Sequence, residues 1–185
     1  MIKNTIVLLM GLWLPMVHAQ EPMGNNALYH KNTGDVMVVA LPVLAMGSSF
    51  IWQDGQKGTS QFSKALASTL AISYGLKFAI NKERPNGENN YSFPSAHTSV
   101  AFSSAAFIQK RYGWEYGIPA YALAGYVGYT RIKANKHDGW DVLAGAAIGT
   151  GISYLFSKPF NKERRFQVTS GVLENSPTLG FTYKF

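Results

Sequence analysis

Between Asp35 and Phe156 the sequence alternates apolar stretches of helical length with short polar breaks, five times over. Asp35 to Trp52 is closed by Asp54-Gly55. Ser60 to Ile80 carries Phe62, Leu66, Leu70 and Leu76 near one stripe and cannot run far past Pro85, while His97 to Arg111, Tyr116 to Tyr129 and Gly139 to Phe156 complete the set. Apolar residues recurring at helical spacing, proline and Asp-Gly breaks, and capping aspartates all point the same way. The expectation is an all-α bundle of about five helices. Short connections favour antiparallel neighbours, which brings the loops after the second and fourth helices to one end. Gly24 to Gly34 is polar and reads as a surface lead-in, with Asp35 capping the first helix.

The two ends of the chain have a different character. Lys3, an apolar run from Ile6 to Val17 and the small-residue pattern Val17-His18-Ala19 read as a secretory signal peptide over residues 1–19. That leaves residues 20–160 as the helical domain and residues 161–185 as a tail, where "RFQVTSGVL" and "TLGFTYKF" alternate in polarity around Asn175-Ser176-Pro177. Period two about a turn predicts a short C-terminal β-hairpin. Val36 to Trp52 is 17 residues without a charge, about 26 Å of helix and marginal for a bilayer. A mean hydropathy of −0.04 is low for a multi-pass protein. The reading is an exported domain on the periplasmic side of a bacterial envelope, soluble or membrane-associated, with an integral multi-pass protein as the alternative. No feature speaks to oligomeric state.

Composition narrows the chemistry. With no cysteine there is no disulfide, thiolate nucleophile or cysteine-bound zinc. A net charge of +7 favours anionic partners, which outside the cytoplasm means phosphorylated compounds or anionic headgroups. Nucleic acid is disfavoured, because no recognition motif and no interleaving of basic and aromatic residues is present.

Three short segments carry the functional signal. Lys77 and Arg84 lie two helical turns apart, Ser95 and His97 open the third helix, and Arg131, His137 and Asp141 follow the fourth. A helix start offers free N–H groups and the positive end of the dipole to an anion. A divalent metal on His97, His137 and Asp141 would be repelled by the three cations. A phosphate would be held by the lysine, the two arginine forks and the serine hydroxyl, and more strongly as charge develops on its oxygens. One imidazole can then attack phosphorus while the other protonates the departing oxygen, with Asp141 fixing the tautomer of His137.

"KFAINKERP", "PSAH" and "RIKANKHDGWD" resemble the three signature motifs of the type 2 phosphatidic acid phosphatase (PAP2) superfamily, with every spacing intact from Lys77 to Asp141. Two positions depart from the pattern. Ala96 stands where the second motif usually has glycine, and Thr130 where a serine often precedes the arginine of the third. The resemblance implies an all-α bundle and a phosphatase that needs no metal or other cofactor. In it His137 is the nucleophile that forms a phosphohistidine, His97 the acid for the leaving group and Asp141 the partner of His137. Lys77, Arg84, Ser95, Arg131 and the backbone N–H of Ala96 form the phosphate shell. The implied substrate is a lipid-linked phosphate or pyrophosphate. Alternatives are a soluble, non-specific periplasmic acid phosphatase acting on small phosphate esters, a non-catalytic phospholipid-binding envelope protein, and a vanadium haloperoxidase, which shares the motif scaffold. Gly145, Gly149 and Gly151 read as close-packing positions, His30 as a surface residue, and Trp52, Trp114 and Trp140 as interface anchors or packing residues.

Overall fold

The computed structural model describes residues 25–51 and 58–160, together with the backbone of two strands in the tail; the expected signal peptide, residues 1–19, and Trp52 lie outside the described residues. Five helices form the bundle: α1 (Asn25–Ile51), α2 (Gly58–Ile80), α3 (Ala96–Tyr112), α4 (Trp114–Lys133) and α5 (Gly139–Phe156). The tail forms β1 (Phe166–Leu173) and β2 (Ser176–Tyr183), paired antiparallel with Leu173 opposite Ser176 and Val172 opposite Pro177. Ser176 and Pro177 therefore belong to the second strand and not to the turn. An edge strand tolerates a proline because the missing N–H faces away from its partner.

The largest departure from expectation is in α1. Its helix begins at Asn25, so the supposed lead-in is helical and Asp35 lies in its third turn as no cap at all. The reason is Gly34, where a Cβ would fall 2.0 Å from Arg131 Nη2 and 2.2 Å from Thr130 Oγ1. Glycine there acts as a seat for the end of α4. A residue weak in isolated helices is stabilised by the tertiary contact it permits.

Helix α3 packs against all four others. Its buried residues are mostly small, among them Ser99, Ala101, Ser103, Ser104, Ala105 and Ala106. The hydroxyls of Ser99 and Ser104 are satisfied within the helix, donating to Ser95 O at 3.1 Å and Val100 O at 2.9 Å. On the facing helix, a Cβ at Gly145 would meet Ser95 O at 2.6 Å and one at Gly149 would meet Ser99 O at 2.1 Å, whereas one at Gly151 would meet nothing within 4 Å. Gly145 and Gly149 allow the close approach; Gly151 does not take part in it. The inner stripe of α2 likewise runs through Phe62, Ala65, Thr69, Ser73 and Lys77, with Leu66, Leu70 and Leu76 only flanking it. Large apolar side chains pack at the end away from the polar motifs, where Phe62 and Phe107 meet at 4.9 Å between ring centroids, and midway along the bundle, where Leu41 and Val127 join the small residues of α3 and α4.

Chain reversals hold the polar end together. At the opposite end a single residue, Gly113 at φ 96°, joins α3 to α4. Asn81 (φ 49°) and Asn135 (φ 52°) end α2 and α4 in the left-handed conformation that asparagine tolerates best after glycine. At α4 the Lys136 N–H donates to Arg131 O at 3.1 Å and the Asn135 N–H to Ile132 O at 3.0 Å, the paired bonds that stop a helix and fold the chain back.

Gly149→Ala should destabilise the protein by roughly 1–3 kcal/mol, because the obstacle is backbone and the helices must part. Gly151→Ala should be neutral or stabilise by about 0.5–1 kcal/mol. Thermal unfolding of the two variants checks this, at roughly 2–4 °C per kcal/mol; equal melting temperatures would contradict the α3–α5 contact.

Candidate active site

Lys77 comes from the last turn of α2, Arg84 and Ser95 from the loop at 81–95, Ala96 and His97 from the first turn of α3, Arg131 from the last turn of α4, His137 from the following loop and Asp141 from the first turn of α5. These sequence-predicted residues gather at one end of the bundle. Lys77 is buried and donates through Nζ to Tyr91 O and Pro94 O, both at 2.7 Å, which ties α2 to the loop. The Ser95 N–H donates to Asp141 O at 2.9 Å and ties that loop to α5. Ser95 caps α3: its Oγ accepts from the Thr98 N–H at 3.5 Å and from Thr98 Oγ1 at 3.0 Å. The N–H groups of Ala96 and His97 have no partner within the helix, as in any first turn.

The fully buried carboxylate of Asp141 is a hub. Its Oδ1 accepts from Lys82 Nζ at 2.8 Å, and its Oδ2 from Ser92 Oγ at 2.5 Å and the Asp138 N–H at 3.0 Å. Asp138 returns the bond, accepting from the Asp141 N–H at 3.0 Å, so the two close a capping box at the start of α5. His137 precedes this cap and is not itself helical. Its Nδ1 lies 3.6 Å from Asp141 Oδ2, an ion-pair distance longer than a hydrogen bond, and has no hydrogen-bond partner. The expected one-turn helical pairing is replaced by a looser approach, because that oxygen already accepts two donors. Burial would raise the Asp141 carboxyl, yet the bonds from Lys82, Ser92 and Asp138 outweigh it and hold the group below its ordinary value. Burial, and then the charges of Lys77 and Arg84, push the His137 imidazole down to about 3 against the opposing pull of Asp141. His137 is neutral throughout the physiological range, the form a nitrogen nucleophile needs.

A second His–Asp contact lies across the site. Asp35 Oδ1 accepts from Arg131 Nη1 at 2.8 Å and sits 3.0 Å from His97 Nε2. Arg131 also donates through Nη2 to His30 O at 3.3 Å and Lys31 O at 2.7 Å, and through Nε to Thr130 Oγ1 at 3.4 Å. Four of its five N–H groups thus face protein oxygens. A two-pronged grip on phosphate is open to it only if one of these yields. Arg84 donates through Nη1 to Glu88 Oε2 at 3.3 Å, the same oxygen that pairs with the buried Lys136, and its Nε is buried without an acceptor. That orphaned donor and the free N–H groups of α3 create a demand for an anion.

Residues 50–165 match the family described as the PAP2 superfamily. The chain belongs to the PAP2 superfamily. It is 30% identical to a lipid A 4'-phosphatase of Helicobacter pylori over 78% of this chain and 77% of that protein. It is 36% identical to a lipid A 1-phosphatase of Porphyromonas gingivalis over 55% of this chain, which spans 25% of that longer protein. The fold resembles the crystal structure of Aquifex aeolicus LpxE with a TM-score of 0.60 at 21% identity, covering 74% of this chain and 87% of that one. As a PAP2-type phosphatase the protein is a phosphoric ester hydrolase.

Within this PAP2 site, four participants escaped the sequence reading: Asp35, Lys82, Glu88 and Lys136. Asp35 is 96 positions from Arg131 and Lys82 is 59 from Asp141, separations that no local pattern reveals. Lys82 does fall inside the first motif segment, and its register with Asp138 and Asp141 becomes visible only once the α2–α3 loop has folded. His30 is half-buried, its ring edge-on to Tyr129 at 5.7 Å, so it is no surface residue. Among the described residues no group of three or more His, Cys, Asp or Glu side chains is placed to hold a metal.

Arg131→Lys should destabilise the protein by at least about 2 kcal/mol, since an ammonium cannot reach both the α1 carbonyls and Asp35. Lys82→Ala takes one donor from the buried Asp141 carboxylate, which keeps Ser92 and the Asp138 N–H, and should cost about 1–2 kcal/mol. Melting temperatures in the same detergent check this order, and a reversal would show that Arg131 does not brace α1.

Proposed function

We propose that the protein removes phosphate from a lipid headgroup of the lipid A type through a phosphohistidine on His137. The observation that carries the lipid reading is the inverted distribution of side chains. The interior is small and polar, while Val36, Val43, Phe78, Ile118, Leu143 and Leu155 on the outer faces are more than half exposed, Leu155 at 82%. Apolar cover on this scale suits contact with lipid, where small residues let helices approach. Trp114 and Trp140 are exposed at 59% and 74%, which fits the interface role better than packing. Helix α1 is long and apolar enough to cross a membrane. Both curated relatives described above are lipid A phosphatases, one for each end of that lipid, and both suit this chemistry. The signal-peptide reading of residues 1–19 supports a working face outside the cytoplasm.

The site's chemistry supports two in-line displacements. In the first, the neutral His137 attacks phosphorus while Lys77, Arg84, the remaining N–H of Arg131, the Ser95 hydroxyl and the first-turn N–H groups of α3, Ala96 included, stabilise charge growing on the non-bridging oxygens. The P–O bond to the lipid breaks, and His97 gives its proton to the departing oxygen. Asp141 stabilises the positive charge on the His137 ring. In the second, water attacks the phosphohistidine, gives a proton to His97 and releases inorganic phosphate with His137 restored. A soluble acid phosphatase would need no such apolar exterior, and a mere lipid binder would not need a neutral buried imidazole beside three cations.

Purified in detergent with chelator present, the protein should release phosphate from lipid A faster than from phosphatidate, phosphatidylglycerophosphate or an aryl phosphate. His137→Ala should lower turnover by at least about 10³-fold. Full activity in that variant would remove the proposed nucleophile; preference for the aryl phosphate over every lipid would remove the proposed substrate class.

A further inference from the structure

We infer that Asp35 is the positioning residue of the leaving-group step, holding the His97 ring in place and opposing the loss of its proton. The inference rests on the phosphatase reading above and adds to it a second His–Asp pair, supplied by α1 from outside the three motifs. One oxygen, Oδ1, meets both His97 Nε2 at 3.0 Å and Arg131 Nη1 at 2.8 Å. Arg131 is itself fixed to the α1 carbonyls of His30 and Lys31, one turn before Asp35. The carboxylate is therefore aimed by the turn of α1 that follows the one anchoring the guanidinium, and the imidazole is aimed by the carboxylate.

An acid that is to protonate an alkoxide must carry its proton before the substrate arrives. The surroundings of His97 work against this and hold its imidazole below the ordinary value: burial first, then Arg131 from α4 and Arg84 from the α2–α3 loop, with His137 from the α4–α5 loop also facing it. Of these the arginines disfavour a second positive charge. The one anion facing it among these groups is Asp35, and its charge and hydrogen bond favour the imidazolium. In the imidazolium both ring nitrogens carry hydrogen. Nε2–H is the one Asp35 accepts, which leaves Nδ1–H for the oxygen of the leaving group. When that proton goes, the ring stays neutral with Nε2–H still on Asp35, so Nδ1 is the free base that takes a proton from the attacking water in the second displacement. Asp35 needs no contact with substrate for any of this. Its own side chain is 42% exposed, open enough for solvent to reach and for a substitution to be tolerated.

The test is Asp35→Asn, which keeps shape and loses charge, compared with wild type and His97→Ala on an alkyl phosphate lipid and on 4-nitrophenyl phosphate. The acid form works below its pKa and is lost as pH rises through it, so removing the carboxylate should move the alkaline limb of kcat/KM for the alkyl ester lower by at least about one pH unit. At neutral pH the variant should lose about 10–100-fold on the alkyl ester but under about 3-fold on nitrophenyl phosphate, whose leaving group departs without a proton. Asp35→Glu should recover the limb. Equal losses on both esters with an unmoved limb would make Asp35 a structural brace, and a lower KM with an unmoved limb would make it an occupant that phosphate displaces; either overturns the inference. Inactive wild type on both esters would instead sink the phosphatase reading.

Discussion

Lys77, Arg131 and Lys136 are each less than a tenth exposed, and a buried cation persists only where oxygen atoms surround it. Most of the architecture at this end of the bundle follows from supplying those oxygens. The α2–α3 loop curls so that Tyr91 O and Pro94 O reach Lys77. Helix α1 runs ten residues farther than its apolar stretch so that its second and third turns can bring two carbonyls and Asp35 to Arg131. Glu88 closes over Lys136 and Arg84. What remains unsatisfied is what a phosphoryl group can use: Arg84 Nε, the last N–H of Arg131 and the N–H groups that open α3.

The same requirement explains why the interior is small. Ser, Ala and Gly on α3 and α5 draw the helices together until backbone touches side chain at Gly145 and Gly149, which fixes the start of α3 against the start of α5. Because Ser95 N–H bonds to Asp141 O across this seam, the cap of one helix and the hub residue of the next move as a unit. His97 and His137 inherit their positions from that seam. Most large apolar side chains are left for the exterior.

Much of this is legible in the residues. The five helices follow from apolar spacing and breaks, and the motif positions Lys77, Arg84, Ser95, His97, Arg131, His137 and Asp141 share one end because antiparallel neighbours must. The stop of α2 at Ile80, just before Asn81, agrees with the apolar spacing, whereas α4 runs four residues past Tyr129 to Lys133, where the turn chemistry of Asn135 and not periodicity ends it. Asp35 is different in kind. Its neighbours in sequence suggest a cap, and only the seating of Gly34 under Arg131 turns it inward. The His137–Asp141 spacing was readable but its geometry was not, since the aspartate's oxygens had other claimants from a loop some fifty residues away.

The central claim is that phosphate is transferred to His137 before it reaches water. Mixing the protein with lipid labelled in its phosphate and quenching in alkali within the first turnover tests this most directly. The account predicts label bound covalently, stable in alkali and lost in acid, on a peptide containing His137. Product formed at full rate with no label on that peptide would contradict it.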